Sequence, residues 1–347
     1  MQNPLPGSPH AASSTPGEAP KTGCLNRLVD RHPYAGTLLL FLYFMLMWSC
    51  LHFLLGPVIS MLHLPFLPRQ LVGETLIALI VIIPILLLKW WSETGFTRGI
   101  TSQGVVICLI PLALFLIPVL CSLPLLVGQA SLPVTAMAVL LSLLVGFAEE
   151  GFFRGVMLRS LLPKGIWTSV ILSSLLFACV HLTNLISGFT PYYVLGQLVL
   201  TFGSGVLFAA LRLRTRSIWP AIVLHVLRDV SGLILLGMNP SLALSTSLSA
   251  TLIVNGIFSL LCIVNAVVLL RSSQLLKLRV TYGLAPEPVL PPTPYYPYPT
   301  YPGQPSSINY PAYPGQPSSA DYPGQPPFIV YPDQQTSHTS HPGYPEQ

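Results

Sequence analysis

The chain has 347 residues, 52% of them hydrophobic and only 8% charged, with a formal net charge of +5. A soluble domain carries about 25% charged residues, so this composition excludes a water-covered surface over most of the chain and requires a bilayer as solvent. The basic residues are few and sit between apolar runs, which speaks for membrane topology and against a nucleic-acid-binding face.

Residues 1–33 are rich in Pro, Ser, Gly and Ala, lack periodicity and read as a disordered leader with basic Lys21, Arg27 and Arg31 at its end. Cys24 follows Thr22 and Gly23 as in a lipoprotein cleavage box, but no apolar segment precedes it, and that reading is rejected. Residues 34–280 form the transmembrane domain. Its apolar runs fall near 35–56, 71–91, 104–127, 133–162, 166–186, 191–211, 217–237 and 250–270, each close to the roughly 20 residues needed to span a bilayer. The expected fold is therefore an all-α polytopic transmembrane bundle of about eight helices with a polar intramembrane cavity among the fourth to seventh, expected to open toward the cytoplasm. The fourth run is too long for a simple span and is expected to tilt and emerge into the interface.

Basic residues gather before the first run, after the second (Lys89, Arg98), the fourth (Arg159, Lys164), the sixth (Arg212, Arg214, Arg216) and the eighth (Arg271, Lys277, Arg279). The alternate connections carry none apart from Arg69. Positive connections stay in the cytoplasm, so both termini are expected inside, with the plasma membrane as location. The six cysteines are scattered singly without a metal-type spacing, and are expected as buried, reduced thiols. From 281 to 347 the chain becomes a Pro/Tyr-rich tail repeating Tyr-Pro-Gly-Gln-Pro at Tyr301, Tyr313 and Tyr322. Proline removes backbone donors and favours polyproline II, so a solvated tail is expected, with solvated His338 and His341. It suits weak contact with a partner and is expected to be dispensable for catalysis.

Ionisable side chains inside a membrane are costly and usually functional. Here the motif elements fall on four consecutive runs, three of which carry ionisable groups: Glu149, Glu150 and Arg154 on the fourth, His181 on the fifth, and His225, Arg228 and Asp229 on the seventh, while the sixth carries Phe202 and Gly205. Glu150 and Arg154 are four apart, share a helical face and are expected to pair. Glu149 is turned about 100° away and is left free. Two adjacent carboxylates in a poorly hydrated site repel each other's charge, a setting that suits proton transfer at Glu149. His225 and Asp229 also share a face, so Asp229 is expected to orient the imidazole. Phe202 and Gly205 read most simply as close-packing positions. Depth introduces one tension. Glu149 and His225 lie about 15 Å of helix from basic Arg159 and Arg216, whereas His181 lies nearer 25 Å from Lys164. Tilt, or a dip around Pro163–Gly165, has to bring it level.

These pieces resemble the CPBP family of CAAX proteases and bacteriocin-processing enzymes. Its signature is Glu-Glu-x-x-x-Arg, Phe-x-x-x-His, Phe-x-x-Gly and His-x-x-x-Asn, matched here by Glu149-Glu150 with Arg154, Phe177 with His181, Phe202 with Gly205, and His225 with Asp229, over residues 130–232. The resemblance implies an intramembrane endopeptidase acting on a membrane-associated peptide or protein substrate. Glu149, assisted by His181, would activate water, His225 and Asp229 would line the place where the oxyanion develops, and Glu150 and Arg154 would support the helix. Members are often called metalloproteases, and a Zn2+ site of this kind would be Glu149, His181 and His225. Asp229 departs from the usual Asn. An ionised Asp only accepts hydrogen bonds, so orientation of His225 is its expected role. Two other classes remain open from the residues alone: a non-catalytic scaffold, immunity or regulatory protein of the same fold, and a transporter using the carboxylates as a proton relay.

Overall fold

The computed structural model describes residues 24–126, 130–238 and 248–284. The leader before Cys24, Gly128 in the connection after the third span, and the Pro/Tyr-rich tail from 285, with its repeats, His338 and His341, lie outside the described residues. The chain divides into two units, Met1–Pro288 and Val289–Gln347, and every described residue belongs to the first.

The described residues are helical. A short α1 (Cys24–Arg31) precedes α2 (Pro33–Met61), α3 (Phe66–Leu87), α4 (Ser102–Leu126), α5 (Leu132–Lys164), α6 (Ile166–Leu185), α7 (Pro191–Thr215), α8 (Trp219–Met238), α9 (Leu248–Leu269) and a short α10 (Ser272–Thr281). Among the described residues, α2 to α9 supply eight helices long and apolar enough to cross a membrane, as the composition predicts. Their outward faces carry exposed Leu, Ile and Val, such as Leu79, Ile83, Val106 and Val268, which a water-facing protein would bury.

Three features differ from the sequence reading. Residues 24–31 of the expected leader are helical, with Val29 buried against Gly36 of α2 and Asn26 Nδ2 donating to the Leu88 carbonyl (2.9 Å). The long fourth run keeps its helical path by changing type: α-helix to Glu150, π-helix over Gly151–Met157, one α turn over Leu158–Leu161 and a 3-10 turn over Leu162–Lys164. π segments inside α-helices are rare and concentrate at functional sites. The cysteines are free but not uniformly buried: Cys262 is buried, Cys50, Cys108 and Cys179 are half-buried, and Cys121 is exposed.

Helix α5 packs between α3 and α8, and α7 packs between α6 and α9. Hydrophobic burial cannot drive helices together in lipid, so close approach through small residues does. A Cβ added at Gly203 of α7 would lie 2.6 Å from the Ser259 Cα on α9, and one at Gly196 would meet Asn255 Nδ2 at 3.1 Å. The connection between α3 and α4 forms a strap across the basic ends of α5, α7 and α8. Arg212 donates to the carbonyls of Thr94 (2.9 Å) and Glu93, Arg159 Nε pairs with Glu93 Oε2 (2.7 Å), Ser217 donates to the Arg98 carbonyl (2.6 Å), and Trp219 donates to the Phe96 carbonyl (3.1 Å). Gly95 has φ +90°, and a Cβ there would lie 2.8 Å from the Arg212 guanidinium, so only glycine fits.

The α7–α9 contact is tested by a pair of glycines. Gly203→Ala forces the two backbones apart and should destabilise the bundle by about 1–3 kcal/mol in reversible detergent unfolding. Gly232→Ala on α8, where a Cβ meets nothing within 4 Å, should be neutral or slightly stabilising.

Candidate active site

The polar residues on α5, α6 and α8 assemble around one buried ion pair. Arg154 Nη1 lies 3.1 Å from Glu150 Oε1, and both side chains are fully buried. Charges removed from water must be compensated locally, which fixes both groups. The guanidinium is held flat by aromatic rings, with Cζ 4.0 Å from the centroid of Phe177 on α6 and 5.6 Å from that of Phe208 on α7. Gly205 makes room for it: a Cβ there would lie 2.7 Å from Arg154 Nη2 and 3.3 Å from the Phe177 ring. Gly205 is therefore a close-packing position, as expected, but what it admits is the arginine head group. Phe202 faces elsewhere and is half-buried against the cluster that includes Phe258 and Cys262 of α9.

The same Glu150 oxygen accepts a second hydrogen bond, from His225 Nδ1 on α8 (2.8 Å). The ring's other nitrogen, Nε2, faces Asp229 Oδ2 at 3.2 Å and Glu149 Oε2 at 3.4 Å. Orientation of the imidazole thus falls first to Glu150, and Asp229 flanks the opposite nitrogen. A ring with carboxylates at both nitrogens is held as a donor on both sides when those carboxylates are ionised. Gly146, one helical turn before Glu150, lets α8 approach α5 closely: a Cβ there would be 3.4 Å from the Ile222 carbonyl and 3.6 Å from His225 Cβ. Glu149 and Asp229 are partly exposed, unlike Glu150 and His225.

His181 ends the α segment of α6 and begins its 3-10 turn. Its Nδ1 donates to the Phe177 carbonyl (2.9 Å). A carbonyl only accepts, so Nδ1 carries the proton and Nε2 is the acceptor nitrogen. His181 and His225 both pack edge-on against Phe177, with ring centroids 5.1 and 6.2 Å away, and His181 is within charge range of His225, Asp229 and Arg228. The two histidines are thus gathered about one aromatic ring despite the different helical distances from their basic ends.

The zinc set Glu149, His181 and His225 does not fit this arrangement. Among the described residues no three His, Cys, Asp or Glu side chains are grouped to hold a metal ion, and His225 already meets a carboxylate at each nitrogen. Phe96 of the strap packs at a tilt against Phe147 (centroids 4.9 Å apart), and its ring would lie 3.2 Å from a Cβ on Gly151 of α5.

One carboxylate was not singled out from the sequence. Glu74 on α3 shares the helix face that packs toward α5 and α8. The signal for it was available. Leu67, Leu71, Glu74, Ala78, Val81 and Ile85 follow one helical stripe, apolar except at Glu74.

The class defined by fold and site is a multi-spanning helical membrane protein with a buried carboxylate–imidazole centre on facing helices. Residues 131–231 match the family of Rce1-like type II CAAX prenyl endopeptidases, and this segment contains every motif named above. No curated protein matches the chain.

The buried pair predicts a specific mutational pattern. Arg154→Ala leaves Glu150 uncompensated and should cost about 3–5 kcal/mol of stability, read by unfolding in detergent. Glu150→Gln combined with Arg154→Met removes both charges and should recover most of that loss, while the anchor of His225 Nδ1 is weakened.

Proposed function

We propose that the protein is an intramembrane endopeptidase that hydrolyses a peptide bond of a membrane-associated substrate with water activated by Glu149. The observation that carries this reading is the His225 ring, anchored at Nδ1 by Glu150 and turned at Nε2 toward Glu149 and Asp229, inside a segment that matches an endopeptidase family.

Glu149 takes a proton from water as the oxygen attacks the scissile carbonyl carbon. His181, through its acceptor nitrogen Nε2, accepts a hydrogen bond from the other O–H of the water, whose hydrogen stays on oxygen, and fixes the attack direction. His225 Nε2–H shifts from Asp229 Oδ2 to the carbonyl oxygen as negative charge develops there, while Glu150 holds the ring at Nδ1 against rotation. Glu149 then returns its proton to the leaving amine as the carbon–nitrogen bond breaks, which restores the carboxylate. Glu150 and Arg154 touch no substrate and position His225. The residues do not fit a zinc site, and no step runs through a metal.

The positive connections support a plasma-membrane protein with both termini in the cytoplasm. A single cysteine introduced at Gly165, between α5 and α6 and next to Lys164, should label from the cytoplasmic side of inverted vesicles on a background without the native cysteines. Labelling from outside would invert the topology.

The reaction is tested with purified protein and a peptide library in lipid nanodiscs. Glu149→Gln should lower cleavage by about 10²–10⁴-fold while the protein still accumulates and unfolds normally. Cleavage should persist in strong chelator. Cleavage lost in chelator and restored by Zn2+ would overturn the metal-free route. Full function retained in Glu149→Gln would favour a scaffold, and proton-coupled uptake a transporter.

A further inference from the structure

Glu74 belongs to the inward stripe of α3. Leu67 and Leu71 at its start pack in a cluster with Val145 of α5 and Val230 of α8. Ala78, Val81 and Ile85 at its end pack in another with Ala148 and Phe152 of α5 and Val226 of α8. Along the stripe Glu74 falls between these clusters, whose α5 members Val145 and Ala148 precede Glu149 and whose α8 members Val226 and Val230 flank the turn from His225 to Asp229. The lipid-facing stripe of the same helix, Val72, Thr75, Leu79, Ile83 and Leu86, is exposed and uncharged, and its hydroxyl at Thr75 donates to the Leu71 carbonyl.

The surrounding charge is unbalanced. Glu74, Glu149, Glu150 and Asp229 bring four carboxylates to one region of the membrane interior. Two guanidiniums and the His225 ring, a donor at both nitrogens, face three of them: Arg154 on Glu150, Arg228 with its Nε 3.8 Å from Asp229 Oδ1, and His225 on Glu149, Glu150 and Asp229. Among the described residues no Lys, Arg or His pairs with Glu74. Glu150 Oε2 is buried without a hydrogen-bond partner on a fully buried side chain, and Glu149 Oε2 is buried with only the 3.4 Å approach of His225. An anionic group set among anions in a poorly hydrated site is costly unless it takes up a proton or a cation joins it.

We propose that Glu74 is a specificity-determining residue that receives a cationic group of the substrate, a lysine or arginine side chain near the scissile bond. The proposal rests on the endopeptidase reading for its setting. It also makes a binding statement that does not require hydrolysis. Glu149 stays free to handle the proton of water because Glu74, on a different helix, takes the substrate's charge.

The test uses leucine-rich fluorescent decapeptides in which one lysine is walked along the sequence, each paired with a norleucine twin of the same length. Binding is measured to full-length Glu149→Gln protein in nanodiscs. At one lysine position the lysine peptide should bind about tenfold more tightly than its twin. That preference should vanish in Glu149→Gln/Glu74→Gln and persist in Glu149→Gln/Glu74→Asp, which keeps the charge and shows that the fold survives substitution. With the otherwise native protein, Glu74→Gln should raise KM for the lysine peptide about tenfold relative to its twin, without a matching change in relative kcat. A lysine preference that survives Glu74→Gln, or no preferred lysine position, overturns the proposal. So does an equal loss of kcat on both twins, which would make Glu74 structural. If no peptide is cleaved yet the Glu74-dependent preference in binding holds, the hydrolysis reading fails and the charge-recognition reading stands.

Discussion

A glutamate and an arginine that are both fully removed from solvent have few ways to coexist with a bilayer, and the Glu150–Arg154 pair dictates much of what surrounds it. The guanidinium needs a flat apolar bed, which Phe177 and Phe208 provide from two neighbouring helices. It needs space on α7, which the absence of a side chain at Gly205 provides. The carboxylate has lone pairs beyond those that Arg154 uses, and His225 fills one of them from α8. One ion pair therefore ties α5, α6, α7 and α8 together. It also explains why residue types as different as Phe, Gly, Arg and His recur as one signature: each meets a requirement set by the same two charges.

The π segment that begins directly after Glu150 belongs to the same problem. It carries Arg154 within reach of Glu150, and it presents Gly151 and Gly155 to the strap. Cβ atoms on these glycines would lie 3.2 Å from the Phe96 ring and 3.1 Å from Thr94 Cβ. The strap is in turn fastened by backbone carbonyls that accept from Arg212, Ser217 and Trp219. A polar connection is thereby held against an apolar helix without exposing its carbonyls to lipid, as a membrane interior demands.

Apolar run length alone located all eight spans, because the cost of leaving backbone and charge in lipid is large and independent of partners. The Glu150–Arg154 pair was legible from four-residue spacing, and the gathering of Glu149, His225 and Asp229 from the shared motif. Other features were not. Helix type in 151–157 depends on packing against the strap, and no spacing rule carries that. The role of Glu150 toward His225 is a contact across 75 residues, invisible to local periodicity. The helix at Cys24–Arg31 was missed because Val29 acquires its burial only from Gly36 and the strap region. The metal set read from residue types alone overlooked that His225 is claimed by carboxylates at both nitrogens.

Glu74 shows a different limit. Its stripe is plain in the sequence, yet a single acidic residue in an apolar helix looks like an isolated cost until the facing helices are known. Packing supplies the missing half: Val145 and Ala148 of α5 bracket the position from one side, and Val226 and Val230 of α8 from the other. The interior of this bundle thus carries its carboxylates on three helices and its compensating guanidiniums on two of them. A charge distribution of that kind is stable only where fixed cations, protons or a bound cation balance it. Since Arg154 is committed to Glu150 and Arg228 lies beside Asp229, the carboxylates at Glu74 and Glu149 are the ones left to act on whatever enters between α3, α5 and α8.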